Sequence, residues 1–435
     1  MKYFSLNYNA KDVSFLEAVL RGLAPDRGLY FPKNIPILKK NFINNISQYS
    51  NNEIAFEVIK HYVGEDIPRD HLKRIIENTL NFNFPTVKIT ENISSLELFH
   101  GPTLAFKDVG ARFMARCLSF SNKIKKQEKL IVLVATSGDT GGAVADGFYK
   151  VKGIDVIILF PKGKVSDIQK RQLTTLGENI TALEVEGTFD DCQDMVKTAF
   201  VDQEISENIA LTSANSINIA RWLSQMFYYF IAYKNRPNPN KKLLVSVPSG
   251  NFGNLCAGLM SKMMGLPIDH LIASTNINDT VPEYLKSGNY NPKKSIQTIT
   301  NAMDVGDPSN FIRIQKIFNN DFFKLKKIIT GFSYNDKQTE KALKKIYKIS
   351  GYIADPHGAI GYLGLKEYMD SLKDKEAYQG VFLETAHPIK FKGTVEKVLK
   401  KEIKIPNQIK KILDVEKTSF PLRDYSELKS LLLSR

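Results

Sequence analysis

Three short apolar runs, each followed by a turn containing glycine and then by a helical pattern, constrain the fold of this chain most. The runs are 130–134, 156–160 and 243–247. Apolar runs of this length that alternate with helices are typical of buried strands in a parallel sheet. In such folds, ligands bind at the carboxyl ends of the strands, on the turns. The sequence therefore predicts an α/β fold with mainly parallel sheets and directs the search for function to the turns.

The first 85 residues differ from the rest because helical patterns predominate in them. The helix candidates in this segment are 13–20, 52–63 and 69–80. No catalytic group of side chains stands out there, and the alternation of strand and helix begins only after it. The stretch 235–242, which contains Arg236-Pro237-Asn238-Pro239-Asn240, predicts an exposed connection between two lobes. We therefore expect a mainly helical N-terminal domain over 1–85 and a catalytic domain over 86–435.

Composition restricts the possible partners of the chain. Its 435 residues are 43% hydrophobic and 10% aromatic, which indicates a globular protein with a large core. The net charge is +14, but the lysines are spread along the chain and no basic motif interleaved with aromatic residues occurs. We therefore expect no nucleic-acid partner, while the positive charge favours an anionic substrate.

The distribution of apolar and cysteine residues indicates a cytoplasmic protein. No run of 18 or more apolar residues occurs, so we expect no membrane span. Polar residues stand at the N-terminus where a signal peptide would need an apolar stretch, namely Asn7, Asn9, Lys11 and Asp12. The three cysteines, Cys117, Cys192 and Cys256, show no paired or metal-binding spacing, so we expect neither disulfides nor a metal.

Lys107 is the first candidate catalytic residue. It follows the apolar tripeptide Leu104-Ala105-Phe106, and a helical pattern begins directly behind it. At the mouth of an apolar pocket, a lysine loses hydration of its charged form, so its pKa falls and its amine becomes a nucleophile, as in a Schiff-base lysine. If Lys107 is considered alone, a non-catalytic lysine at a helix start, whose ammonium group reaches water, explains this position better than a Schiff-base lysine does. Three loops further along the chain favour the catalytic interpretation.

The first loop, Ala135-Thr136-Ser137-Gly138-Asp139-Thr140-Gly141-Gly142-Ala143, follows a predicted strand and opens a helix. Small residues let the backbone approach a ligand, and the free N–H groups of a helix start attract an anion such as a carboxylate or phosphate. Three hydroxyl groups add further donors. An ordinary capped turn needs fewer glycines and hydroxyls, so we favour anion binding.

The second loop, Val247-Pro248-Ser249-Gly250-Asn251-Phe252-Gly253-Asn254-Leu255, also joins a strand to a helix. Its glycines and asparagines make it a second candidate phosphate site, although a plain turn explains it equally well. It lacks the Lys-Ser/Thr ending of a P-loop, which argues against ATP. It also lacks the spacing of the dinucleotide fingerprint, which argues against NAD.

The third loop runs from 382 to 391, where an apolar strand ends in a polar turn. Thr385 could present a hydroxyl at the strand end. His387 is a candidate base, although a lone histidine before proline is more often structural. A similar polar turn, Ala354-Asp355-Pro356-His357-Gly358-Ala359, precedes a helix of small residues.

Pyridoxal phosphate is the cofactor that these features fit. It needs a Schiff-base lysine, a phosphate site and a partner for its pyridine nitrogen. Lys107, an anion-binding loop and the Thr385 hydroxyl supply one group for each need. The other anion-binding loop is then available for a substrate carboxylate.

The same residues resemble the threonine synthase family, whose members are pyridoxal-phosphate enzymes of the tryptophan-synthase-β fold class. The resemblance extends from about residue 13 to about residue 390 and rests on Val13-Ser14-Phe15, Gly28-Leu29-Tyr30-Phe31-Pro32, His100-Gly101-Pro102-Thr103, Phe106-Lys107-Asp108, the loop 136–141, Asn215-Ser216-Ile217-Asn218, Ser249-Gly250-Asn251-Phe252-Gly253-Asn254, Asn278-Asp279-Thr280-Val281-Pro282 and Glu384-Thr385-Ala386-His387-Pro388. The lysine and the phosphate loop are shared across the fold class. The N-terminal pieces and the Glu-Thr-Ala-His-Pro turn are more specific to this family.

The resemblance implies a two-lobed fold type II enzyme, with a smaller lobe over about 106–230, and a monomer. It implies that Lys107 forms the Schiff base and that Thr385 meets the pyridine nitrogen and leaves it unprotonated. The residues that would hold the cofactor phosphate are Gly250, Asn251, Phe252, Gly253 and Asn254. Those that would bind the substrate carboxylate are Thr136, Ser137, Gly138, Asp139 and Thr140.

Asp139 departs from the wider fold class, which usually carries asparagine here to donate to the phenolic oxygen of the cofactor. An ionised aspartate cannot donate a hydrogen bond. Some threonine synthases also have aspartate at this position, so the resemblance to the family stands. The role of Asp139 stays open at this stage.

The resemblance implies a carbon–oxygen lyase acting on phosphates. It would convert O-phospho-L-homoserine and water to L-threonine and phosphate by γ-elimination and β-hydration, the last step of threonine biosynthesis. The candidates for binding the substrate phosphate are His100, Thr103, Ser216, Asn218 and Arg221, with Lys162 and Lys164 as further cations. A threonine or serine dehydratase of the same fold class is the main alternative, and a basic nucleic-acid-binding protein is a second.

Overall fold

In the part of the chain that the structure describes, the strands form three sheets. The computed structural model describes residues 1–125 and 130–435. The strands in chain order are β1 (Tyr3–Ser5), β2 (Tyr30–Pro32), β3 (Thr86–Lys88), β4 (Ile93–Glu97), β5 (Leu130–Ala135), β6 (Ile154–Pro161), β7 (Ile180–Val185), β8 (Ala210–Ser213), β9 (Lys242–Pro248), β10 (Ile268–Thr275), β11 (Ile329–Ser333), β12 (Tyr378–Glu384) and β13 (Phe420–Leu422).

Helices surround these sheets and connect most of their strands. In chain order they are α1 (Phe15–Arg21), α2 (Lys40–Asn44), α3 (Asn51–Val63), α4 (Arg69–Thr79), α5 (Lys107–Lys125), α6 (Asp139–Phe148), α7 (Asp167–Thr174), α8 (Phe189–Val201), α9 (Gln203–Asn208), α10 (Ile219–Leu223), α11 (Met226–Lys234), α12 (Gly253–Met263), α13 (Thr280–Ser287), α14 (Phe311–Ile317), α15 (Phe322–Lys326), α16 (Asp336–Ser350), α17 (Pro356–Ser371), α18 (Lys392–Leu399), α19 (Asn407–Leu413) and α20 (Tyr425–Leu433). Short 3-10 helices lie at Ile46–Gln48, Asn301–Met303, Lys375–Ala377 and Pro388–Phe391.

The two larger sheets are mainly parallel, which confirms the predicted fold class. The six-stranded sheet has the order β11-β10-β9-β12-β4-β3, in which only the pair of β3 and β4 is antiparallel. The five-stranded sheet has the order β13-β7-β6-β5-β8 and is parallel throughout. The strands β5 and β9 are interior strands, and the loops at their carboxyl ends are the first and second loops of the sequence analysis.

The three predicted strands are buried because apolar residues cover both faces of each sheet. All six residues of β5 are buried, and β9 exposes only its first residue. Helices on both sides of a parallel sheet remove these residues from water, so no alternation of polar and apolar residues is needed. The largest hydrophobic cluster joins the inner faces of the two sheets to the N-terminal helices.

The N-terminal region is mainly helical, as predicted. The longest of its helices, α3, begins with a capping box, in which Ser50 Oγ accepts from Glu53 N at 3.2 Å and the Glu53 carboxylate accepts from Ser50 N at 2.7 Å. Its apolar face packs on α4 and α11. The region also carries the two-stranded sheet of β1 and β2. The guanidinium group of Arg313, on α14, donates hydrogen bonds to the backbone oxygen of Tyr30 in β2.

The C-terminal segment returns to the smaller of the two parallel sheets. The strand β13 pairs with β7, and α20 packs on α8 and α9. In the described ranges, no helix is long and apolar enough to cross a membrane.

Candidate active site

Lys107 is the first residue of α5, and the end of β12 holds it in place. The segment before the lysine forms an isolated antiparallel bridge, Ala105 with Ala386. Phe106 N donates to Thr385 O at 2.9 Å. These contacts fix the Lys107 backbone beside the strand end that carries Thr385, although the two residues are 278 positions apart in the sequence.

The surroundings of Lys107 favour its neutral amine. The side chain keeps 17% of its surface exposed, and its Nζ lies 3.9 Å from Asp139 Oδ2. Burial lowers the pKa of Lys107 to about 8. The Asp139 carboxylate opposes this shift, while the nearby charges of Lys390 and Arg221 lower the pKa further. The lysine therefore meets the electrostatic requirement of a nucleophilic amine.

Thr103 and Asp108 form an internal brace of the lysine loop. Thr103 N donates to Asp108 Oδ2 at 3.0 Å, and the Thr103 hydroxyl donates to Asp108 Oδ1. Asp108 is 1% exposed, and burial raises its pKa to about 7 although Thr103 opposes the shift. The hydroxyl of Thr103 is therefore used within the loop.

The first loop connects β5 to α6, as its sequence predicts. Thr136 Oγ1 accepts from Gly138 N at 2.9 Å and from Gly141 N at 2.8 Å, which folds the loop over the helix start. Gly138 has φ +136°, and a Cβ there would lie 2.4 Å from the Gln169 side chain. The N–H groups of Asp139 and Thr140 open the helix, where the first N–H groups have no intrahelical acceptor.

The second loop connects β9 to α12. Phe252 takes a left-handed conformation with φ 60°, which turns the chain sharply into the helix. A Cβ at Gly250 would lie 2.8 Å from Ala302 O and 3.0 Å from Met303 Cα. At the helix start, Asn254 Nδ2 is buried and makes no hydrogen bond. The loop is thus a tight cradle with a free donor inside.

One cavity brings most of the predicted site residues together. Its lining includes the lysine at the start of α5, residues of the first and second loops, and the end of β12. These predicted site residues are Lys107, Thr136, Ser137, Asp139, Thr140, Gly250, Asn251, Phe252, Gly253, Asn254 and Thr385. Ser216 and Arg221 also line it. Arg221 is 2% exposed, its Nη1 donates to Ala214 O, and its Nε has no acceptor. Burial lowers the pKa of Arg221 to about 10.

The other candidates lie outside the lining of this cavity. His100 Nε2 is 2.6 Å from Glu97 Oε2, and the side chain is 38% exposed. Asn218 is fully buried, and its Nδ2 donates to Val19 O at 2.8 Å. Gly138 uses its N–H within the first loop, and Thr103 braces Asp108, as described above.

The two lysines offered as further cations also lie apart from the cavity. Lys162 is exposed, with its Nζ 3.2 Å from Glu186 Oε1. Lys164 lines a neighbouring pocket together with Ser137 and Lys294.

Two buried polar residues of the site, Lys390 and His357, were not predicted from the sequence. Lys390 has no exposed side-chain surface, and its Nζ lies 2.8 Å from Asp139 Oδ1. His357 lines the cavity and is 2% exposed. Its Nδ1 lies 2.8 Å from Asp355 Oδ1, but neither ring nitrogen has hydrogen-bond geometry to a protein partner. Both residues belong to polar turns that are visible in the sequence, and this location is the one signal that could have identified them as site residues.

The residues of the cavity fit pyridoxal phosphate. The glycine cradle with the unpaired Asn254 Nδ2 at the start of α12 suits a phosphate group. Lys107 supplies an amine of lowered pKa, and Thr385 supplies a hydroxyl at the end of β12. The donor set therefore meets the three needs of this cofactor.

Comparison with protein families assigns the whole chain. Residues 2–80 match the model described as threonine synthase N terminus, and residues 358–431 match that described as threonine synthase, C-terminal. Residues 94–382, about two thirds of the chain, match the model of pyridoxal-phosphate dependent enzymes. The chain belongs to the threonine synthase family. Pyridoxal phosphate is therefore its cofactor.

Threonine synthases from several organisms resemble the chain over its full length. That of Buchnera aphidicola subsp. Acyrthosiphon pisum is 45% identical over 100% of both chains. The crystal structure of threonine synthase from Escherichia coli superimposes with a TM-score of 0.93 at 38% identity, covering 100% of both chains. The PLP-bound threonine synthase from Brucella melitensis gives a TM-score of 0.91 at 33% identity, covering 100% of this chain and 99% of that one.

A threonine deaminase from Solanum lycopersicum is a more distant match. It gives a TM-score of 0.55 at 16% identity and covers 77% of this chain. At this identity the similarity concerns the fold alone. The dehydratase alternative of the sequence analysis thus corresponds to a distant fold relative of this threonine synthase family member.

Proposed function

We propose that the chain converts O-phospho-L-homoserine and water to L-threonine and phosphate. The observation that carries the proposal is a single cavity lined by Lys107, by two loops at helix starts and by the buried Arg221. Three anionic groups must be held at once, namely the cofactor phosphate, the substrate carboxylate and the substrate phosphate. The two helix starts and Arg221 supply three anion sites. A dehydratase acting on serine or threonine would need only two.

The second loop and the end of β12 are proposed to hold the cofactor. Backbone N–H groups of Gly250, Asn251, Phe252, Gly253 and Asn254 would bind its phosphate, together with Asn254 Nδ2. Lys107 Nζ would hold it covalently, and the Thr385 hydroxyl would serve its pyridine nitrogen. When bound, pyridoxal phosphate supplies an electron sink that stabilises negative charge developing on the substrate carbons.

The first loop and Arg221 are proposed to hold the substrate. The N–H groups of Asp139 and Thr140, with the hydroxyls of Ser137 and Thr140, suit the substrate carboxylate. Arg221 and Ser216 lie on the same cavity wall and suit its phosphate, because guanidinium binds phosphate through parallel N–H groups. Thr103, Asn218 and His100 are proposed to support the loops rather than contact substrate, since their polar atoms are used by protein partners.

Lys107 is the proposed proton carrier. With the substrate bound, the neutral Lys107 amine would be free to remove the proton from the substrate Cα. The Cβ proton would leave with the departing phosphate as the C–O bond at Cγ breaks. The Lys107 ammonium group would then give its proton to Cγ, and water would add its hydroxyl at Cβ while its proton passes through Lys107 to Cα, which completes threonine. Each proton that Lys107 accepts is available for return, because its pKa of about 8 lies near physiological pH.

Turnover assays with two substrates test this proposal. We expect phosphate release and threonine formation from O-phospho-L-homoserine, with no 2-oxobutanoate formed from L-threonine at a comparable rate. Rapid deamination of L-threonine without phosphate release from phosphohomoserine would instead establish the dehydratase. Stoichiometric detection of phosphate and threonine by separate assays controls for hydrolysis of the phosphoester.

We also propose a domain division and a cellular setting. The N-terminal domain spans 1–85 and the catalytic domain 86–435, with a smaller lobe over about 106–230. The family matches to 2–80 and 94–382 support the first boundary. We further propose that the protein is a cytoplasmic monomer that binds no nucleic acid. Three buried cysteines without disulfide partners, Cys117, Cys192 and Cys256, support a reducing compartment. Light scattering tests the monomer, and a salt titration with random DNA tests the absence of nucleic-acid binding.

A further inference from the structure

A buried ion pair spans the cleft between the two parallel sheets. Lys390, in the 3-10 helix that follows β12, has its Nζ 2.8 Å from Oδ1 of Asp139, the first residue of α6. Neither side chain is more than 2% exposed. Lys390 Nζ also donates to Thr103 O at 3.0 Å. The ammonium group thus contacts the first loop and the lysine loop at once.

Each oxygen of the Asp139 carboxylate has a different task. Oδ1 accepts from Lys390 and, at 3.0 Å, from Gln169 Nε2. Oδ2 faces the Lys107 amine at 3.9 Å. The carboxylate is therefore held from behind while its other oxygen is presented to the candidate catalytic lysine.

Charge balance explains why Lys390 accompanies Asp139. A buried carboxylate without a cation is strongly destabilising, whereas a neutral asparagine at this position would need no such partner. Burial alone would raise the pKa of Asp139, but Lys390, Lys107 and His357 together hold it well below its usual value. Asp139 is thus an anion, which by itself would stabilise the protonated form of the Lys107 amine.

The charges around Lys107 oppose one another. Asp139 and Asp355 raise the pKa of Lys107, while Lys390 and Arg221 lower it together with burial. Asp108 and Tyr228 face Arg221 rather than the lysine, and His357 acts on Asp139. Without Lys390, the balance at the amine would move towards the two carboxylates.

We propose that Lys390 is a positioning residue for Lys107. Its ammonium group fixes the Asp139 carboxylate across the cleft and offsets the charge of that carboxylate at the Lys107 amine. The inference deepens the proposed function and rests on the role given there to Lys107.

The test compares Lys390→Met, Asp139→Asn and the double variant in cofactor-free protein. The pH dependence of Lys107 acetylation is measured by competitive labelling with trace acetic anhydride and peptide mass spectrometry. For Lys390→Met we expect the labelling midpoint to rise by about one pH unit or more, the effect of an unbalanced charge at this distance. For Asp139→Asn we expect it to fall, and for the double variant to return towards the wild-type value.

A matched control and a second comparison keep the test decisive. Lys392 lies two residues after Lys390, is half-buried and pairs with Glu396, so Lys392→Met should leave the midpoint unchanged. Should Lys390→Met fail to fold, the double variant is compared with Asp139→Asn, and the midpoint must be higher in the double variant. Urea unfolding should show that Lys390→Met or Asp139→Asn alone lowers the free energy of unfolding more than the two substitutions together do. A purely structural pair would give that unfolding pattern without moving the midpoint, and this result would overturn the inference.

Borohydride trapping separates failure of the inference from failure of the proposed function. The cofactor is added, reduced onto the protein and located by peptide mapping. Trapping at a lysine other than Lys107 would contradict the proposed site itself. Trapping at Lys107, combined with labelling midpoints that coincide in all the variants, would overturn the role of Lys390 alone.

Discussion

At the scale of single residues, the chemistry of the site depends on how often Lys107 is neutral. An ordinary lysine with a pKa of 10.5 is uncharged in roughly one molecule in a thousand at pH 7.5. With the pKa lowered to about 8, the neutral fraction of Lys107 rises to roughly a quarter at that pH. Burial is the main cause, so the apolar residues around the lysine act on the reaction without touching the substrate.

Replacing this lysine tests its assignment. We expect Lys107→Ala to lose the visible absorption band of the covalently held cofactor and all turnover, because Lys107 lines the cavity whereas the nearby Lys390 amine is engaged by Asp139 and Thr103. Absorption spectroscopy and the phosphate-release assay measure both effects. Lys392→Ala is the matched control and should keep the band. A normal band and normal activity in Lys107→Ala would refute the assignment.

Thr385 offers a second test at the same scale. The neighbouring Glu384 is fully buried, and burial together with Asp355 raises its pKa well above the usual value. This end of β12 thus resists additional negative charge. Thr385→Asp would place a carboxylate at the proposed position of the pyridine nitrogen and keep that nitrogen protonated, which changes the electron sink.

We expect Thr385→Asp to lower threonine formation more than cofactor content, with more of the substrate diverted to side products. Thr385→Ser, which keeps the hydroxyl, should behave much more like the wild type. Product ratios by chromatography and cofactor content by absorbance are the measurements. Unchanged product ratios with the cofactor bound would argue that Thr385 does not touch the ring.

At the scale of structural elements, the proposed phosphate cradle in the second loop has no room for a side chain at Gly250. A Cβ at Gly250 would meet backbone atoms of Ala302 and Met303 at 2.8 and 3.0 Å, and backbone cannot rotate away as a side chain can. Accommodating it must move either the loop or the 3-10 helix Asn301–Met303. Either movement displaces the N–H groups proposed to bind the phosphate.

We therefore expect Gly250→Ala to raise the Kd for pyridoxal phosphate by roughly fivefold to a hundredfold, since overpacking of this kind costs about 1–3 kcal/mol. Gly393→Ala is the control, because a Cβ there, on α18, meets nothing within 4 Å. Fluorescence titration of the cofactor-free proteins measures both. Equal affinities in the two variants would show that the loop is not the phosphate site.

The elements that were predicted from the sequence share one property, which is that local composition determines them. The strand β5 is apolar over its whole length, the strands β6 and β9 each contain an apolar run, and turns that contain glycine follow all three. The strand β13 could not be predicted, because a three-residue strand carries no periodic signal and depends on its pairing with β7. Likewise nothing local indicates that Lys390 is buried, since its partner Asp139 is distant in sequence.

Most of the candidate site residues that the structure brings into one cavity lie on loops that follow a strand directly. The loops after β5, β9 and β12 converge because the carboxyl ends of strands gather in an α/β fold. Asn218 is different: it was chosen for its residue type, but its amide group holds Val19 O of the N-terminal region. Long-range contacts of this kind determine whether a polar side chain is available to bind a ligand or is used to stabilise the fold.

At the scale of the whole molecule, one histidine far from the cavity makes stability depend on pH. His270 on β10 stacks on Tyr368 with ring centroids 4.5 Å apart, and its Nε2 is 2.8 Å from Thr330 Oγ1. Burial lowers its pKa from 6.5 to about 4. The unfolded chain therefore takes up this proton first as the pH falls, so stability is lost from about pH 6.5 down to about 4.

We expect His270→Gln, which keeps a donor near Thr330 but cannot titrate, to lose less stability than the wild type between pH 7.5 and 4.5. The difference between the two pKa values corresponds to roughly 3 kcal/mol at most. Urea unfolding of the cofactor-free proteins at both pH values measures it. Identical losses in the two proteins would show that His270 does not contribute to acid sensitivity.

The last prediction concerns the cleft, across which the two parallel sheets face each other. Direct polar contacts already span it near the cavity: besides the ion pair of Lys390 and Asp139, Asn310 Nδ2 donates to Ser216 Oγ at 3.1 Å, and Asn301 Nδ2 to Gln169 Oε1 at 3.4 Å. A substrate whose carboxylate binds the first loop while its amine joins a cofactor held by the second loop would add a bridge between the sheets. Closure of this kind would exclude water while charge develops on the substrate carbons.

We therefore expect a non-reactive phosphonate analogue of phosphohomoserine to protect residues 135–145 and 215–221 of the holoenzyme from hydrogen exchange. The first segment contains the proposed carboxylate site and the second contains Ser216 and Arg221, so both gain partners when the cleft closes. Inorganic phosphate should protect them less, because it reaches only one of these sites and cannot bridge the cleft. Mass spectrometry of exchanged peptides gives the comparison, with α20 as an internal reference. Tight binding of the analogue without altered exchange in either segment would mean that the cleft is already closed or that the substrate binds elsewhere.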